Sequence, residues 1–442
     1  MKDVLLFFCA LVLCALPARA QQVRAQVYTG ATIIPVSGPV ITDGVLVVAR
    51  GKIVAVGARA STKIPEGAQV NDATGKFIMP GLVDTHSHIG GGSGADASAP
   101  IQPDVRILDS INVRDTGLQR AQAGGITTVN VMPGSGHLLS GQTLYLKLKD
   151  GKIVDDLLMR DARGEIAGGI KMANGTNALR PAAPGPFPGT RAKSAALMRE
   201  QLLKAQDYRA KVRRAGNDAS KLPPRDLAME ALIEALEGRR VVHFHTHRHD
   251  DILTALRLAK EFNFRIVLQH VSEAWKVADE IARAKAPSSI IMIDSPGGKL
   301  EAVDVSYTNG VALERAGALV GFHTDDYITD SRFFLRSAAL AVRAGMSRER
   351  ALYAMTMAGA TMLDLQNRIG TLEVGKDADF IVLSGDPLSV YTKVLETHVE
   401  GVKVFDRSNA QDRLYAVGGY GAGRDQHAHF DCFDGGDAEG QR

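Results

Sequence analysis

Two histidines one residue apart, His86 and His88, are the strongest indication of chemistry in this sequence. They end an apolar run that begins at Leu82 and is typical of a β-strand. Side chains two apart on a strand point to the same face, with Cα atoms about 6.6 Å apart. The two imidazoles can therefore share one metal ion at about 2.0–2.1 Å from each nitrogen. Asp84 lies on that face one step earlier and can orient an imidazole through a hydrogen bond.

Three more of the twelve histidines, His245, His270 and His323, also lie at the ends of strand-like runs. Asp325 closes the last of these runs. In a parallel barrel the C-terminal ends of all strands converge on one site, so ligands distant in sequence become neighbours. A carboxylate at Asp325 can bind a metal ion and also move a proton. The pattern therefore predicts a metal-dependent catalytic site.

Two histidine positions leave alternatives open. His243, His245 and His247 alternate onto one face, so the choice of His245 as the ligand rests on register. His137 follows the loop 132–136 after the second strand-like run. It can contact a substrate or polarise its carbonyl, or it can be an ordinary loop histidine that faces water.

The elements that would position these residues alternate between strands and helices from residue 82 onward. The predicted strands are Leu82–His86, Ile126–Val131, Leu144–Leu148, Ile166–Met172, Val241–His245, Ile266–His270, Ile290–Ile293 and Leu319–Thr324. The predicted helices are Arg106–Ala123, Lys193–Val212, Leu227–Leu236, Asp250–Phe262, Glu273–Ala284, Ser331–Ala344 and Arg348–Met357. Eight βα units within about 290 residues favour an α/β fold of the (β/α)8 TIM-barrel type.

Strand-rich segments flank the predicted barrel on both sides. Apolar runs on either side of Arg50-Gly51 indicate a β-hairpin. Residues 370–405 have the same character, so we expect one small β-sandwich domain built from residues 21–80 and 369–408. The barrel would then occupy residues 81–368, and the Gly-rich segment 409–442 would be a mobile tail.

The first twenty residues have the features of a cleaved signal peptide. Lys2 precedes an apolar run, and Ala18-Arg19-Ala20 has the small-x-small form of a cleavage site. We therefore expect residues 1–20 to be removed and the chain to be exported, with a periplasmic or secreted location. Cys14 leaves lipid modification open, and Cys432 alone remains after cleavage, so no internal disulfide is expected.

The composition excludes several classes of partner. The 442 residues carry a formal net charge of only +3, which gives no reason to expect nucleic acid or an anionic surface as a partner. No segment after the signal is long and apolar enough to anchor the chain in a membrane. We expect a small-molecule substrate, and a homo-oligomer is left open.

Three motifs together resemble the amidohydrolase superfamily, in particular its imidazolonepropionase-like branch. They are Pro80-Gly81-Leu82-Val83-Asp84-Thr85-His86-Ser87-His88, Ala123-Gly124-Gly125-Ile126-Thr127-Thr128-Val129 and Gly370-Thr371-Leu372-Glu373-Val374-Gly375-Lys376-Asp377-Ala378-Asp379-Phe380. The resemblance spans residues 23–405. It implies that a metal-bearing barrel and a β-domain occur together in this chain.

The resemblance also implies a set of metal ligands at the ends of strands one, five, six and eight, namely His86, His88, His245, His270 and Asp325. Lys171 matches a position where some members carry a CO2-modified lysine that bridges two metal ions. The alternative for Lys171 is a buried lysine paired with a carboxylate.

These residues predict metal-assisted hydrolysis with one or two divalent ions, Zn²⁺ being the expected metal. A metal-activated hydroxide would attack the carbonyl carbon of an amide, peptide or cyclic amide, and Asp325 would pass a proton to the leaving nitrogen. One alternative is a metal-dependent deaminase of a small ring substrate. The other is a catalytically silent binding protein of the envelope, which would keep the fold and need no ligand set.

Overall fold

The fold is described from a computed structural model, which describes residues 24–91, 96–181, 185–292, 299–326 and 328–418. The predicted signal peptide and most of the predicted tail lie outside these residues. Within them, the strands in chain order are β1 (Gln26–Ile33), β2 (Ile41–Ala49), β3 (Lys52–Ala58), β4 (Gln69–Asp72), β5 (Phe77–Pro80), β6 (Leu82–Ser87), β7 (Ile126–Val131), β8 (Leu139–Gln142), β9 (Leu144–Lys147), β10 (Ile170–Ala173), β11 (Val242–Thr246), β12 (Ile266–His270), β13 (Ser288–Ile290), β14 (Val320–Phe322), β15 (Phe380–Leu383), β16 (Val394–Val399) and β17 (Val402–Asp406).

The helices alternate with the central strands. In chain order they are α1 (Thr116–Ala123), α2 (Arg191–Ala215), α3 (Leu227–Leu236), α4 (His249–Phe262), α5 (Ala278–Arg283), α6 (Asn309–Ala316), α7 (Leu335–Arg343), α8 (Arg348–Ala354), α9 (Met357–Met362) and α10 (Ala410–Val417). In the part of the chain that the structure describes, none of these helices is long and apolar enough to cross a membrane.

Strands from both ends of the chain form one sheet of eight strands. Its order is β17-β16-β15-β5-β1-β2-β3, and β4 pairs with β1. The hairpin predicted at Arg50-Gly51 is confirmed, because β2 and β3 pair antiparallel across it. Both turn residues have positive φ, 52° and 75°, as a two-residue hairpin turn of this kind requires.

The central strands form two further sheets, β6-β7-β9 and β14-β13-β12-β11-β10-β8. Strands β10 to β14 are parallel to one another, and β6 is parallel to β7. The Asp325 N–H donates to the His86 carbonyl at 2.9 Å, so the chain that leaves β14 is bonded to β6. This arrangement brings the C-terminal ends of β6 and β14 together.

The third predicted strand departs from a regular βα unit. Strand β9 pairs antiparallel with β7, and β8 pairs antiparallel with β10. Only residues 132–138 separate β7 from β8. A parallel crossover usually carries a helix, and none lies in the described residues between β7 and β9, so the chain returns antiparallel. The prediction of eight uniform βα units was wrong at this position.

Two helices lie where the sequence predicted none. Helix α6 lies between the predicted strands Ile290–Ile293 and Leu319–Thr324, and α10 occupies residues 410–417 of the expected tail. The helix expected at residues 106–123 is regular only from Thr116, where the Asp115 side chain caps it by accepting from Gly117 N–H.

The terminal sheet and the central region share one core and one buried ion cluster. The largest apolar cluster combines central strands and helices with Ile381 and Leu383 of β15. The buried Lys147 of β9 is paired with Asp377, with Asp379 at 3.0 Å and with Glu400 at 3.2 Å, three residues of the C-terminal segment. We call Lys147, Asp377, Asp379 and Glu400 the ion cluster. The two regions are thus held together by apolar packing and by paired charges.

Candidate metal centre

His86, His88 and Asp325 meet where β6 ends and the chain leaves β14. Asp325 Oδ1 lies 3.0 Å from His88 Nε2 and 3.4 Å from His86 Nε2. His88 Nδ1 lies 2.8 Å from the Met132 carbonyl, which only accepts hydrogen bonds, so Nδ1 carries the proton. The lone pair on His88 Nε2 then faces a carboxylate oxygen. Such a pair needs a cation between its two atoms, either a proton or a metal ion.

Lys171 and His270 extend this group toward neighbouring strands. Lys171, fully buried on β10, places Nζ 3.1 Å from His86 Nε2. His270 ends β12, its ring centroid lies 4.7 Å from that of His86, and its Nδ1 lies 3.8 Å from Asp325 Oδ2. The structure therefore brings Lys171 and His270 to the same place as the first three residues.

His245 is the strand-five histidine that reaches this group. Its ring centroid lies 4.4 Å from that of His270. His243 is engaged elsewhere, because its Nε2 lies 2.8 Å from the Tyr145 hydroxyl and its Nδ1 lies 3.1 Å from Gln269 Nε2. This pairing of both ring nitrogens removes His243 from the possible ligands. We call His86, His88, Lys171, His245, His270 and Asp325 the histidine cluster.

The backbone of the histidine cluster is held in an uncommon conformation. His270 has φ of 69°, Val271 has φ of 40° and Asp325 has φ of 50°. Left-handed φ is uncommon outside glycine and is unfavourable for a β-branched residue such as valine. Hydrogen bonds retain it, since Val271 N–H donates to the Thr246 carbonyl at 2.9 Å and Asp325 N–H to that of His86. Strain of this kind concentrates at functional sites.

Burial sets the protonation states that metal binding needs. It lowers the pKa of His86, His245 and His270 well below the usual value, with Lys171 adding to the effect at His86. These imidazoles are therefore neutral and can donate a lone pair. Burial alone would raise the pKa of Asp325, but the hydrogen bond and the charge of His88 outweigh it and lower that pKa, so Asp325 is a carboxylate.

The donor set fits a divalent metal ion. Within the described chain, both ring nitrogens of His245, Nδ1 of His86 and Nε2 of His270 are buried without a hydrogen-bond partner. Each such atom costs about 1–3 kcal/mol if nothing binds it. His86, His88 and Asp325 offer ligand atoms that all lie within 4.8 Å of one another. Neutral imidazoles and a carboxylate are the ligands that Zn²⁺ takes in proteins.

Two sequence expectations have different outcomes here. His137 is buried, only 2% exposed, and its ring contacts that of Phe187, so the alternative of a histidine that faces water is wrong. Asp84 does not orient an imidazole by a hydrogen bond: it accepts from Thr324 Oγ1 at 2.6 Å, from Thr324 N–H at 3.0 Å and from His86 N–H. Asp84 therefore joins β6 to the chain that leaves β14.

Three buried residues at the edge of the histidine cluster were not selected from the sequence as ligands. His323 Nε2 lies 3.0 Å from His270 Nδ1, and its Nδ1 lies 2.8 Å from Ser289 Oγ. His247 and Glu301 join His245 in a second group of ligand atoms within 4.8 Å of one another. The histidines could have been found from their alternation on a strand, but no sequence pattern distinguishes Glu301.

A cleft of about 790 Å³ lies at the opposite ends of the strands. Its lining includes Val241, Ile266 and Pro287, which precede or begin β11, β12 and β13, and none of the histidine cluster. The cleft is therefore separate from the histidine cluster, which lies where strands end.

The amidohydrolase family model matches residues 77–406, about three quarters of the chain. This chain therefore belongs to the amidohydrolase family, a class of hydrolases that act on carbon–nitrogen bonds. It is similar over 400 residues, at 28% identity, to amidohydrolase tasK of Hapsidospora irregularis, covering 82% of this chain and 40% of that protein. It thus spans less than half the length of that relative.

Other relatives are matched over most of their length. The imidazolonepropionase of Sphingopyxis alaskensis is 24% identical over 394 residues, covering 84% of this chain and 94% of that protein. The 5-methylthioadenosine/S-adenosylhomocysteine deaminase of Symbiobacterium thermophilum is 23% identical over 407 residues, covering 81% and 85%. The solved structure of an amidohydrolase from Thermotoga maritima matches with a TM-score of 0.79 and 33% identity, covering 86% of this chain and 100% of that one. The chain is imidazolonepropionase-like within its family.

Proposed function

We propose that this chain hydrolyses the C–N bond of an amide, a peptide or a cyclic amide with the help of one or two divalent metal ions. The observation that carries the proposal is the meeting of His86, His88 and Asp325, with Asp325 Oδ1 3.0 and 3.4 Å from the two Nε2 atoms. Membership of the amidohydrolase family supports the reaction class.

The chain's own residues would hold the metal ions, for which zinc is the best match to the donor set. The proposed ligands are His86, His88, Lys171, His245, His270 and Asp325. When bound, such an ion makes a water molecule more acidic and polarises the substrate carbonyl. Lys171 would serve after its ammonium group loses a proton, its Nζ forms a bond to CO2 and a second proton leaves, so that two released protons turn a cation into a carboxylate. The 3.1 Å from Lys171 Nζ to His86 Nε2 supports this role.

Asp325 is the proposed proton carrier. Its Oδ1 faces His86 and His88, whereas its Oδ2, among the described residues, makes the longer 3.8 Å approach to His270 Nδ1. Oδ2 is thus the oxygen that can take a proton from the attacking water and give it to the leaving nitrogen. His137, buried in the loop after β7, is proposed to contact the substrate.

Fold closure, domain boundaries and location form the rest of the proposal. We propose that the two central sheets close into a (β/α)8 barrel and that the terminal strands build a β-sandwich. The Asp325–His86 backbone bond and the shared terminal sheet support this. Residues 1–20 would direct export to the periplasm or beyond, and the partner would be a small molecule. N-terminal sequencing of the mature protein and an experimental structure test these points.

The proposed function is tested by metal removal and by substitution of one ligand. Purified protein should contain one or two equivalents of zinc, and a chelator should abolish turnover of a panel of amides, dipeptides, lactams and lactones until zinc is restored. His88→Asn keeps a donor for the Met132 carbonyl but removes Nε2, so it should lose turnover with the fold intact. Turnover that survives metal removal would overturn the proposal.

A deaminase is the second candidate, because one relative of similar coverage is a deaminase. Release of ammonia from ring amines, with one metal ion per chain and an unmodified Lys171, would favour it over amide hydrolysis. About two equivalents of metal with a carboxylated Lys171 would favour the amidohydrolase reaction. A protein that takes up no metal would be the silent binding protein instead.

A further inference from the structure

A second group of buried ligand atoms lies beside the histidine cluster. His245 lies on β11, His247 follows that strand, and Glu301 belongs to the short 3-10 helix Leu300–Ala302 after β13. One ligand atom from each of the three lies within 4.8 Å of the other two. We call His245, His247 and Glu301 the outer triad.

His247 has the arrangement of a metal-binding imidazole. Its Nδ1 lies 2.7 Å from Ser272 Oγ, which fixes the ring, and its Nε2 is buried without a partner in the described chain. A ligand histidine is commonly oriented in this way, with one ring nitrogen hydrogen-bonded and the other bound to the ion. Both ring nitrogens of His245 are also buried without a partner.

Glu301 holds its two carboxylate oxygens in different environments. Oε2 accepts from Thr176 N–H at 2.7 Å and from Arg191 Nη2 at 3.3 Å. Oε1 has no hydrogen-bond partner among the described residues. The Glu301 side chain is only 2% exposed, so bulk water does not replace that partner. One oxygen therefore fixes the side chain, and the other remains able to bind a ligand.

Arg191 is the ion-pair partner of Glu301 among the described residues, and Lys299 adds a positive charge that acts on His245 and His247. Arg191 also pairs with Asp251 at 2.8 Å, and the Asp251 side chain is 4% exposed. One guanidinium thus serves two buried carboxylates, and Glu301 forms no other ion pair in the chain as described. A buried charge without full compensation is unfavourable by several kcal/mol. The neutral imidazoles of the outer triad add no charge of their own.

We propose that His245, His247 and Glu301 bind a divalent cation, with Nε2 of His247 and Oε1 of Glu301 as ligands. Zinc ligands lie about 2.0–2.2 Å from the ion and so about 3.3–3.5 Å from one another. Atoms now within 4.8 Å of each other reach that spacing by side-chain adjustments of about 1 Å. This inference rests on the proposed function at one residue, His245, which is a proposed ligand in the histidine cluster and in the outer triad.

Glu301→Gln is the variant that tests the outer triad. Glutamine keeps an oxygen for Thr176 N–H but removes the negative charge. Asp251→Asn is the matched control, because it weakens the same Arg191 network without touching the outer triad. The probe is Zn²⁺, titrated into metal-free protein against a chromophoric chelator, with elemental mass spectrometry as a count and Co²⁺ absorption spectra as a report on ligand geometry.

We expect Glu301→Gln to lose one equivalent of zinc or to bind it at least tenfold more weakly, with a changed Co²⁺ spectrum, while Asp251→Asn matches the wild type. Equal losses in both variants would overturn the proposal, since the effect would then come from the Arg191 network. Wild-type binding by Glu301→Gln would overturn it too, and would leave the proposed function standing. A wild-type protein that binds no zinc would overturn both.

His247→Asn gives a second test if Glu301→Gln does not fold. Asparagine can retain the hydrogen bond to Ser272 through its side-chain amide but has no atom at the position of Nε2. The same weakened equivalent and changed Co²⁺ spectrum are expected. Unchanged zinc affinity in this variant would remove His247 from the site and overturn the triad as proposed.

Discussion

The histidine cluster and the ion cluster are both buried and polar, but they differ in how completely their atoms are paired. In the ion cluster, Lys147 lies within ion-pair distance of three carboxylates. In the histidine cluster, several ring nitrogens have no partner in the described chain, and the backbone at His270 and Asp325 has left-handed φ. Paired charges of this kind stabilise a fold, whereas buried ring nitrogens without a partner are able to bind a ligand. We therefore expect the ion cluster to act on stability and the histidine cluster to act on metal binding.

The largest effect should follow from Asp325→Asn. Asparagine tolerates the left-handed φ of 50° at this position, so the fold should persist. Loss of the carboxylate that moves the proton should lower kcat by about 10²–10⁴-fold. Steady-state turnover and zinc content of the same preparation measure this, and most of the metal should remain bound. Near-wild-type turnover would show that Asp325 is not the proton carrier.

Lys147→Met should instead lower stability and leave zinc content unchanged. It removes the cation that faces Asp377, Asp379 and Glu400, and breaking a buried pair costs about 3–5 kcal/mol. Urea unfolding measures the loss. Lys149→Met is the control, because Lys149 is one third exposed and pairs with Glu400 at 3.0 Å, so its removal should cost less than about 1 kcal/mol. Equal effects of the two variants would contradict the assignment of Lys147.

The meeting of the histidine-cluster residues in space could be predicted because it follows from strand periodicity and from the parallel course of the strands. Side-chain alternation along β6 is enough to place His86 and His88 on one face. The C-terminal ends of neighbouring parallel strands lie at the same edge of a sheet, which brings ligands from different strands together. The exclusion of His243 could not be predicted, since its partner Tyr145 is 98 residues away in sequence. Glu301 lies on the short 3-10 helix Leu300–Ala302 in the connection after β13, and no periodicity fixes the path of such a connection.

The antiparallel course of β8 and β9 was not predicted from the sequence, for a different reason. Apolar alternation identifies a strand but says nothing of its direction, which here follows from a connection without a helix in the described residues between β7 and β9. The same limit applies to Asp84. Its position on the ligand face was clear from alternation, but its partner Thr324 is set by the meeting of β6 with the chain that leaves β14.

Thr324→Val tests the paired side chains of Thr324 and Asp84, which lie beside the histidine cluster. The Thr324 hydroxyl donates to the buried Asp84 Oδ2 at 2.6 Å, and valine has nearly the same shape without that donor. Leaving a buried carboxylate oxygen without this bond should cost about 1–3 kcal/mol of the free energy of unfolding. If pairing separates structure from function, zinc content should stay the same. Thr324→Ser should retain most of the stability, and a Thr324→Val protein that is stable but metal-free would break the comparison.

The smallest effect should be a pH dependence that belongs to the ion cluster. Burial raises the pKa of Asp377, but Lys147, Lys52 and Arg368 outweigh it and lower that pKa to about 2. The value in the unfolded chain is about 3.9, so ionised Asp377 stabilises the fold above that pH and the contribution is lost as pH falls toward 2.

Asp377→Asn isolates this contribution from the other groups that titrate in acid. Lys52 and Arg368 are 48% and 38% exposed, so solvent screening reduces the contribution to about 1–2 kcal/mol. Unfolding of metal-free wild type and Asp377→Asn by urea at pH 6, 5, 4 and 3 measures the difference between them. That difference should be constant from pH 6 to 5 and shrink below pH 4. A difference independent of pH would mean that Asp377 acts in the ion cluster as a hydrogen-bond acceptor and not through its charge.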